Sequence, residues 1–85
     1  MASEDSSVRF QLQSAHTGSK MKFKTHKDTP FAEVIRTYCK RQGIEEPGEY
    51  RFMFEGMLIK PEDKPSGIEL EDEDIIYVHK RQIGG

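Results

Sequence analysis

The segment 29-TPFAEVIRTYCKRQG-43 decides the fold, because it carries helix signals at both ends and an apolar stripe between them. Thr29 is placed to cap the helix, and Pro30 suits the first helical position. Gly43 suits the left-handed residue that ends a helix. The apolar residues recur at helical spacing, so the helix should pack on a flat partner such as a sheet. The stripe consists of Phe31, Val34, Ile35, Tyr38 and Cys39.

Alternating apolar and polar residues on both sides of this helix predict β-strands. The two strands before the helix form a hairpin, with Gly18 expected at positive φ in its turn. Residues 60–74 should form a loop with one helical turn. This order is typical of an α+β, β-grasp (ubiquitin-like) fold, in which a mixed four- to five-stranded sheet packs on one main helix and the first and last strands run parallel at the centre. The predicted strands span residues 8–13, 20–26, 50–56, 57–59 and 75–80.

The sequence divides into three predicted parts. Residues 1–7 are polar and predict a disordered tail, residues 8–80 form the domain, and residues 81–85 form a flexible C-terminal tail. The chain closes on Gly84-Gly85, which carry no side-chain chemistry. Either this end is merely frayed, or its carboxylate is the working group.

Composition argues against several functions. The net charge is only −2, whereas nucleic-acid binding calls for a basic excess. Cys39 is the single cysteine and allows neither an internal disulfide nor a cysteine metal site. The histidines His16, His26 and His79 share no ligand spacing, and the acids of residues 69–74 should face water. We therefore expect no metal and no cofactor.

Two further classes of protein are also not expected. No Ser-His-Asp set, pair of catalytic acids or phosphate-binding glycine loop can be assembled, so the chain should not be an enzyme. No apolar run approaches the roughly 20 residues that span a bilayer, and no secretory leader is seen. These observations favour a soluble intracellular protein.

Four motifs occur together and in register: YCKRQG at 38–43, RFMFEG at 51–56, LEDEDII at 70–76 and QIGG at 82–85. Together they resemble SUMO, the small ubiquitin-like modifier, in the processed form that ends in Gly-Gly. The resemblance covers residues 8–85. Any one of the motifs would be weak alone, and their common order makes the resemblance specific.

The resemblance implies a covalent modifier. In SUMO, an activating enzyme adenylates the terminal carboxylate and passes it as a thioester to a conjugating enzyme. The carboxylate is then joined to a substrate lysine as an isopeptide, which dedicated proteases cut. Gly84 and Gly85 would be the conjugation site, and Arg81 and Gln82 would contact the activating enzyme. The implied partners are these enzymes, SUMO ligases and substrate proteins with interacting motifs, with no nucleic acid and no membrane. We expect the chain to be a monomer, and the resemblance implies that it occurs in the nucleus and the cytoplasm.

The resemblance also implies a groove for short apolar peptides with acidic flanks. In SUMO, such a peptide adds as a strand beside the second strand, between that strand and the helix. Lysines on an edge strand have a second explanation, because they also protect the edge against aggregation. The residues implied here are Lys22, Phe23, Lys24, Thr25, His26, Val34, Thr37, Tyr38 and Arg41.

Two further sites follow from the resemblance. The face that docks noncovalently on the back of the conjugating enzyme would comprise Arg51, Glu55, Gly56 and Asp74. The stretch IKPE at 59–62 matches the apolar–Lys–any–acid pattern that conjugating enzymes prefer, so Lys60 is a candidate acceptor. With eight lysines in the chain, the match can also arise by chance.

Some positions depart from the SUMO pattern. Thr25 stands where Val or Ile is usual, which should cost about 1 kcal/mol of peptide binding. Glu33 replaces a usual Lys and should repel acidic flanks. Arg81 replaces a usual acid, as in ubiquitin, and should weaken or retune pairing with a SUMO-activating enzyme. Ubiquitin itself fits less well, because Met53 and His79 occupy positions of its apolar recognition patch.

Two other functions stay open. The chain could be a noncovalent ubiquitin-like module that only binds partners, although such a module has no need of the final glycines. It could also be a β-grasp sulfur carrier, which ends in Gly-Gly and carries sulfur as a terminal thiocarboxylate. That role would leave the YCKRQG motif and the lysine-bearing edge unexplained.

Overall fold

The computed structural model describes residues 6–80, which contain five β-strands, one α-helix and a short 3₁₀ helix. Their order confirms the prediction, with small shifts at the ends of the elements. Ser7 already belongs to the first strand, although the predicted tail includes it. Residues 1–5 and 81–85 lie outside the described part. The elements are β1 (Ser7–Ser14), β2 (Lys20–His26), α1 (Phe31–Gln42), a 3₁₀ helix (Pro47–Glu49), β3 (Tyr50–Phe54), β4 (Met57–Leu58) and β5 (Asp74–Lys80).

The strands form one mixed sheet in the order β2-β1-β5-β3-β4. β1 pairs antiparallel with β2 and parallel with β5, and β3 pairs antiparallel with both β5 and β4. The first and last strands are therefore adjacent and parallel, and the last strand is central. This topology confirms the predicted β-grasp fold.

The hydrophobic core lies between α1 and one face of the sheet. The ring of Phe31, at the start of α1, meets Phe10 of β1 edge-on at a centroid distance of 6.1 Å. Tyr38, near the end of α1, meets Phe52 of β3 edge-on at 5.8 Å. Such ring pairs contribute about 1 kcal/mol each beyond the burial of their area. The predicted apolar stripe of α1 is confirmed, with Ile35 half-buried and its other four members buried.

The start of α1 differs from the prediction. Thr29 makes no capping bond; Pro30 occupies the N-cap, without a side-chain hydrogen bond. The N–H of Phe31 donates to the carbonyl of Asp63 at 2.8 Å, and the N–H of Ala32 donates to the carbonyl of Pro61 at 2.9 Å. The loop after β4 thus satisfies donors that a side-chain cap would otherwise serve.

The turns follow the predicted glycines. Gly43 ends α1 in the left-handed conformation, and the N–H of Ile44 donates to the carbonyl of Cys39 at 2.8 Å. Glu55 and Gly56 have φ of 52° and 80°, as the two-residue turn of a twisted hairpin requires. The loop over 60–73 forms successive turns. One of them is a single helical turn, as predicted, closed by the Ile68 N–H donating to the Lys64 carbonyl at 3.2 Å.

Two buried groups of α1 should make the free energy of unfolding decrease at alkaline pH. Burial raises the pKa of the Cys39 thiol above its usual 9.0. Burial, and then the nearby Cys39 and Tyr50, raises the pKa of the Tyr38 hydroxyl above 10.0. The unfolded chain therefore releases these protons first as the pH rises. The free energy of unfolding should be unaffected by them below about pH 8 and fall above about pH 9, by up to about 1.4 kcal/mol per pH unit for each group.

Urea unfolding at a series of pH values checks this expectation, with the double variant Tyr38→Phe/Cys39→Ala as the control. The variant loses core contacts and should be less stable at pH 7, but its stability should decline less steeply at alkaline pH. Equal alkaline slopes in the two proteins would contradict the assignment.

Candidate functional site

The edge of the sheet formed by β2 borders a groove beside α1. β2 pairs with β1 on one side, and within residues 6–80 no strand pairs with its other side. A cavity of about 260 Å³ lies between this edge and α1. Its lining comprises Lys22, Phe23, Lys24, Thr25, Glu33, Val34, Thr37 and Arg41.

The apolar part of the groove comes from both elements. Phe23 is half-buried, and its ring stacks on Phe10 with a centroid distance of 5.9 Å and an angle of 12°. Val34 of α1 is buried. Thr25 is half-buried and pairs with Val8 in the register of β1 and β2, so it brings a hydroxyl into an otherwise apolar row. Strand alternation places Phe23 and Thr25 on the α1 side of β2, whereas Lys22 and Lys24 are exposed and still line the cavity.

The groove carries an excess of positive charge. Lys22, Lys24 and Arg41 contribute cations and Glu33 contributes one acid. Within residues 6–80 the one approach of a basic side chain to an acidic side chain within 4.0 Å is that of His26 Nδ1 to Asp28 Oδ2. The groove cations therefore have no ion-pair partner in the described part of the chain, and they can meet acidic groups of a ligand.

Two predicted groove residues lie outside the lining of this cavity. The Nδ1 of His26 accepts a hydrogen bond from the Asp28 N–H at 3.0 Å, at the turn that follows β2. Tyr38 is buried in the core against Phe52. The other predicted residues line the cavity together, and Glu33, a departure from the SUMO pattern, lines it as well.

The residues predicted for the conjugating-enzyme face lie on the β3–β5 half of the sheet. Glu55 and Gly56 form the turn between β3 and β4, and Asp74 begins β5. Because β3 and β5 are antiparallel, the end of β3 and the start of β5 lie at the same end of the sheet. Arg51 pairs with His79, roughly 17 Å along the strand from Asp74 at the usual rise per residue.

Hydrogen bonds fix the loop that leads into β5. Asp74 Oδ2 accepts the N–H of Glu71 at 2.8 Å. Asp72 Oδ1 accepts the N–H of Arg9 at 2.9 Å, and the N–H of Glu73 donates to the Arg9 carbonyl at 2.8 Å. The acidic loop is thus fastened to β1.

Lys60, the candidate acceptor, lies in a closed turn. Its N–H donates to Asp63 Oδ2 at 2.8 Å, and its carbonyl accepts the N–H of Asp63 at 2.9 Å. Lys60 is exposed, whereas the preceding Ile59 is only 5% exposed and belongs to the core. The apolar member of the IKPE pattern therefore points inward.

A second groove, which the sequence did not predict, lies on the opposite side of α1. Two adjoining cavities of about 410 and 450 Å³ share Ile35, Pro47 and Pro61 as lining residues. The sequence contains one indication of this groove, the apolar Leu58, which lies in β4 but does not belong to the core. It is 53% exposed.

Several predicted features fall beyond the described residues or concern absent groups. Arg81, Gln82, Gly84 and Gly85 lie outside residues 6–80; β5 ends at Lys80, which pairs with Tyr50. In the described part, no group of three or more His, Cys, Asp or Glu side chains could hold a metal ion. No helix in that part is both long and apolar enough to cross a membrane.

Solved structures show the same fold. The chain superimposes on Caldiarchaeum Subterraneum Ubiquitin with a TM-score of 0.79 and 18% identity, covering 93% of this chain and 99% of that one. A designed protein based on ubiquitin also gives a TM-score of 0.79, with 14% identity, covering 95% of this chain and 96% of that one. At such identities the likeness shows the fold alone.

Sequence comparison gives the family. Residues 12–79 match the family described as "Ubiquitin-2 like Rad60 SUMO-like". The chain is 41% identical over 68 residues to Small ubiquitin-related modifier 2-A of Xenopus laevis, covering 80% of this chain and 70% of that protein. It is equally identical, over the same length, to Small ubiquitin-related modifier 3 of Gallus gallus and Small ubiquitin-related modifier 2 of Homo sapiens, covering 80% of this chain and 71% and 70% of those proteins. The chain therefore belongs to the SUMO-like family of ubiquitin-like proteins.

Proposed function

We propose that this chain is a covalent modifier of proteins, joined through the carboxylate of Gly85 to substrate lysines. The observation that carries the proposal is the match to the SUMO-like family over residues 12–79, together with 41% identity over 68 residues to a small ubiquitin-related modifier. The partners would be a SUMO-activating enzyme, a conjugating enzyme, ligases and proteases, in nucleus and cytoplasm. The chain would act as a monomer and would not be an enzyme.

The reaction makes the chain an electrophile rather than a catalyst. The carboxylate of Gly85 attacks the α-phosphate of ATP and pyrophosphate leaves. A cysteine thiolate of the activating enzyme then displaces AMP, and the conjugating enzyme takes over the thioester. The lysine amine finally displaces the thiolate, which forms the isopeptide. Gly84 and Gly85 suit the narrow slots of these enzymes because they lack Cβ and allow close approach of another backbone.

The groove beside β2 would read interacting peptides. An extended peptide would add its backbone to the open edge of β2. Its apolar side chains would rest on Phe23 and Val34, and acidic flanks would meet Lys22, Lys24 and Arg41. Glu33 and the hydroxyl of Thr25 would moderate this affinity.

The conjugating enzyme would also dock noncovalently on the sheet. Glu55 and Gly56 protrude in the β3–β4 turn, and Asp74 stands at the same end of the sheet. Arg51 would extend this surface along β3. Arg81 and Gln82 would contact the activating enzyme.

Transfer should depend on Gly85. With ATP, a SUMO-activating enzyme, a conjugating enzyme and a lysine substrate, the chain should form a thiol-sensitive adduct and then a stable conjugate. Deleting Gly85 should slow transfer by about a hundredfold or more, because the carbonyl would be misplaced in the enzyme. Gel shift and mass spectrometry measure both products.

Conjugation that survives the deletion would refute the proposal. Absence of any adduct together with peptide binding would indicate a noncovalent module, and replacement of one oxygen by sulfur would indicate a sulfur carrier. The same assay tests the tail: Arg81→Glu should speed thioester formation, and an unchanged rate would remove the role given to Arg81.

Peptide affinity should rise when the departure at position 25 is reversed. Thr25→Val replaces a hydroxyl by a methyl in the apolar row and should strengthen binding of an apolar peptide with acidic flanks by about fivefold. Isothermal titration calorimetry measures the change. Thr29→Val is the matched control, because Thr29 does not line the groove, and it should leave affinity as it was. A fall in affinity for Thr25→Val would contradict the proposed groove.

Lys60 should be a poor acceptor while its turn is closed. Docking of the IKPE pattern on the conjugating enzyme needs Ile59 exposed, whereas Ile59 is buried. We expect modification of Lys60 to be slower by about tenfold or more than that of the same four residues in a short peptide, since exposing a buried Ile costs at least that factor. Asp63→Ala removes the acceptor of the Lys60 N–H and should raise the rate; mass spectrometry quantifies it. Equal rates in the folded chain and the peptide would contradict this.

A further inference from the structure

The second groove is bounded by α1, by the 3₁₀ segment and by the β3–β4 edge of the sheet. Ile35 projects from α1, Pro47 opens the 3₁₀ helix, and Pro61 follows β4. These three residues line both adjoining cavities, so the two form one continuous depression. At about 410 and 450 Å³, each cavity is larger than the one beside β2, which is about 260 Å³.

Apolar side chains that the core does not use line this groove. Leu58 is 53% exposed, although it is one of the large apolar residues of the sheet. Ile35 and Ile44 are half-buried and lie against the core from outside. Covering Leu58 would remove one of the most exposed large apolar side chains of residues 6–80 from water, which favours a ligand with an apolar face.

The charge around the groove has one sign. Arg36 and Lys40 line it from α1, and Arg51 and Lys60 line it from the sheet side. Among residues 6–80, no Asp or Glu lines either cavity, although the chain has more acids than cations overall. Acids occur in the adjoining segment over 45–49, outside the lining. The complementary ligand therefore carries acidic residues on both sides of its apolar face.

The backbone at this edge cannot receive a long added strand. β4 has only two residues, whereas β2 has seven. Beyond β4, the N–H of Ile59 donates to Phe52 at 2.7 Å, that of Lys60 is bound to Asp63 at 2.8 Å, and Pro61 has none. A ligand must therefore satisfy its own backbone hydrogen bonds, as an α-helix does.

We propose that the second groove binds an amphipathic α-helix of a partner protein, with an apolar face on Ile35 and Leu58 and acidic flanks on the surrounding cations. Helix-in-groove binding of this kind uses apolar anchors at i, i+3, i+4 and i+7. The groove lies on the opposite side of α1 from β2, so both ligands can be bound at once. The proposal goes beyond conjugation and does not depend on it.

A titration with a defined probe tests this site. The probe is a capped helical peptide of roughly 15 residues with leucines at i, i+3, i+4 and i+7 and glutamates beside them. In ¹⁵N NMR spectra it should shift the amide signals of Ile35, Leu58 and Lys60. Leu58→Glu should weaken binding by about tenfold or more, whereas Leu58→Met should retain it. Arg36→Glu/Lys40→Glu should weaken binding by about fivefold, with a smaller effect at high salt.

Matched controls separate the two grooves. Thr37→Glu places a charge in the groove beside β2 and should leave the probe's affinity unchanged. A probe with lysines in place of the glutamates should bind at least about fivefold more weakly. Thermal unfolding checks that each variant is folded; Leu58 is an exposed position, so its variants should melt close to the parent chain.

Three outcomes would overturn the proposal. The first is that the probe shifts amide signals of β2 alone and that these shifts disappear in Thr37→Glu. The second is that Leu58→Glu binds the probe as tightly as the parent chain does. The third is that the acidic and the basic probes bind with equal affinity. The conjugation assay is unaffected by any of them, so failure here and failure of the modifier function are distinguishable.

Discussion

The parallel pairing of β1 with β5 is the constraint on which the rest of the molecule depends. Leu12 and Ile76 are partners in this register, and each is 1% exposed. Strands that run parallel cannot be joined by a tight turn, so the chain between them must cross over. α1 is the element of that crossover that covers the buried face. Because β1 and β5 lie side by side, their hairpin partners lie outside them, and β2 and β4 form the edges of the sheet.

The lengths of these edges decide what each side of α1 can bind. One helix covers the middle of a five-stranded sheet and leaves a depression on each side. β2 spans seven residues, and its backbone groups that do not face β1 could bond an extended ligand that completes the sheet. β4 spans two residues, and just beyond it the Lys60 N–H is bonded to Asp63 and Pro61 has none, so few backbone donors remain for a ligand. The two proposed ligand sites therefore differ in the backbone hydrogen bonds that they can supply more than in composition.

Local patterns predicted most of this fold, and nonlocal contacts explain the rest. The alternation of apolar and polar residues predicts the strands. Gly43 and Gly56 predict the end of α1 and the β3–β4 turn, because both positions need a positive φ. Thr29 failed as a cap because its role is taken by the carbonyls of Pro61 and Asp63, about thirty residues later in the chain, which no local rule can see.

The groove beside β2 likewise depends partly on local patterns and partly on nonlocal contacts. The resemblance predicts the residues of the groove beside β2, and the structure brings most of them together. Tyr38 lies outside the lining because its ring packs on Phe52, a contact that depends on how α1 is rotated over the sheet.

β5 is paired on both sides as far as Val78, whose carbonyl accepts the N–H of Ala15 at 2.9 Å. From there to Lys80 it is paired only with β3. A strand held in this way frays only at the cost of the core itself.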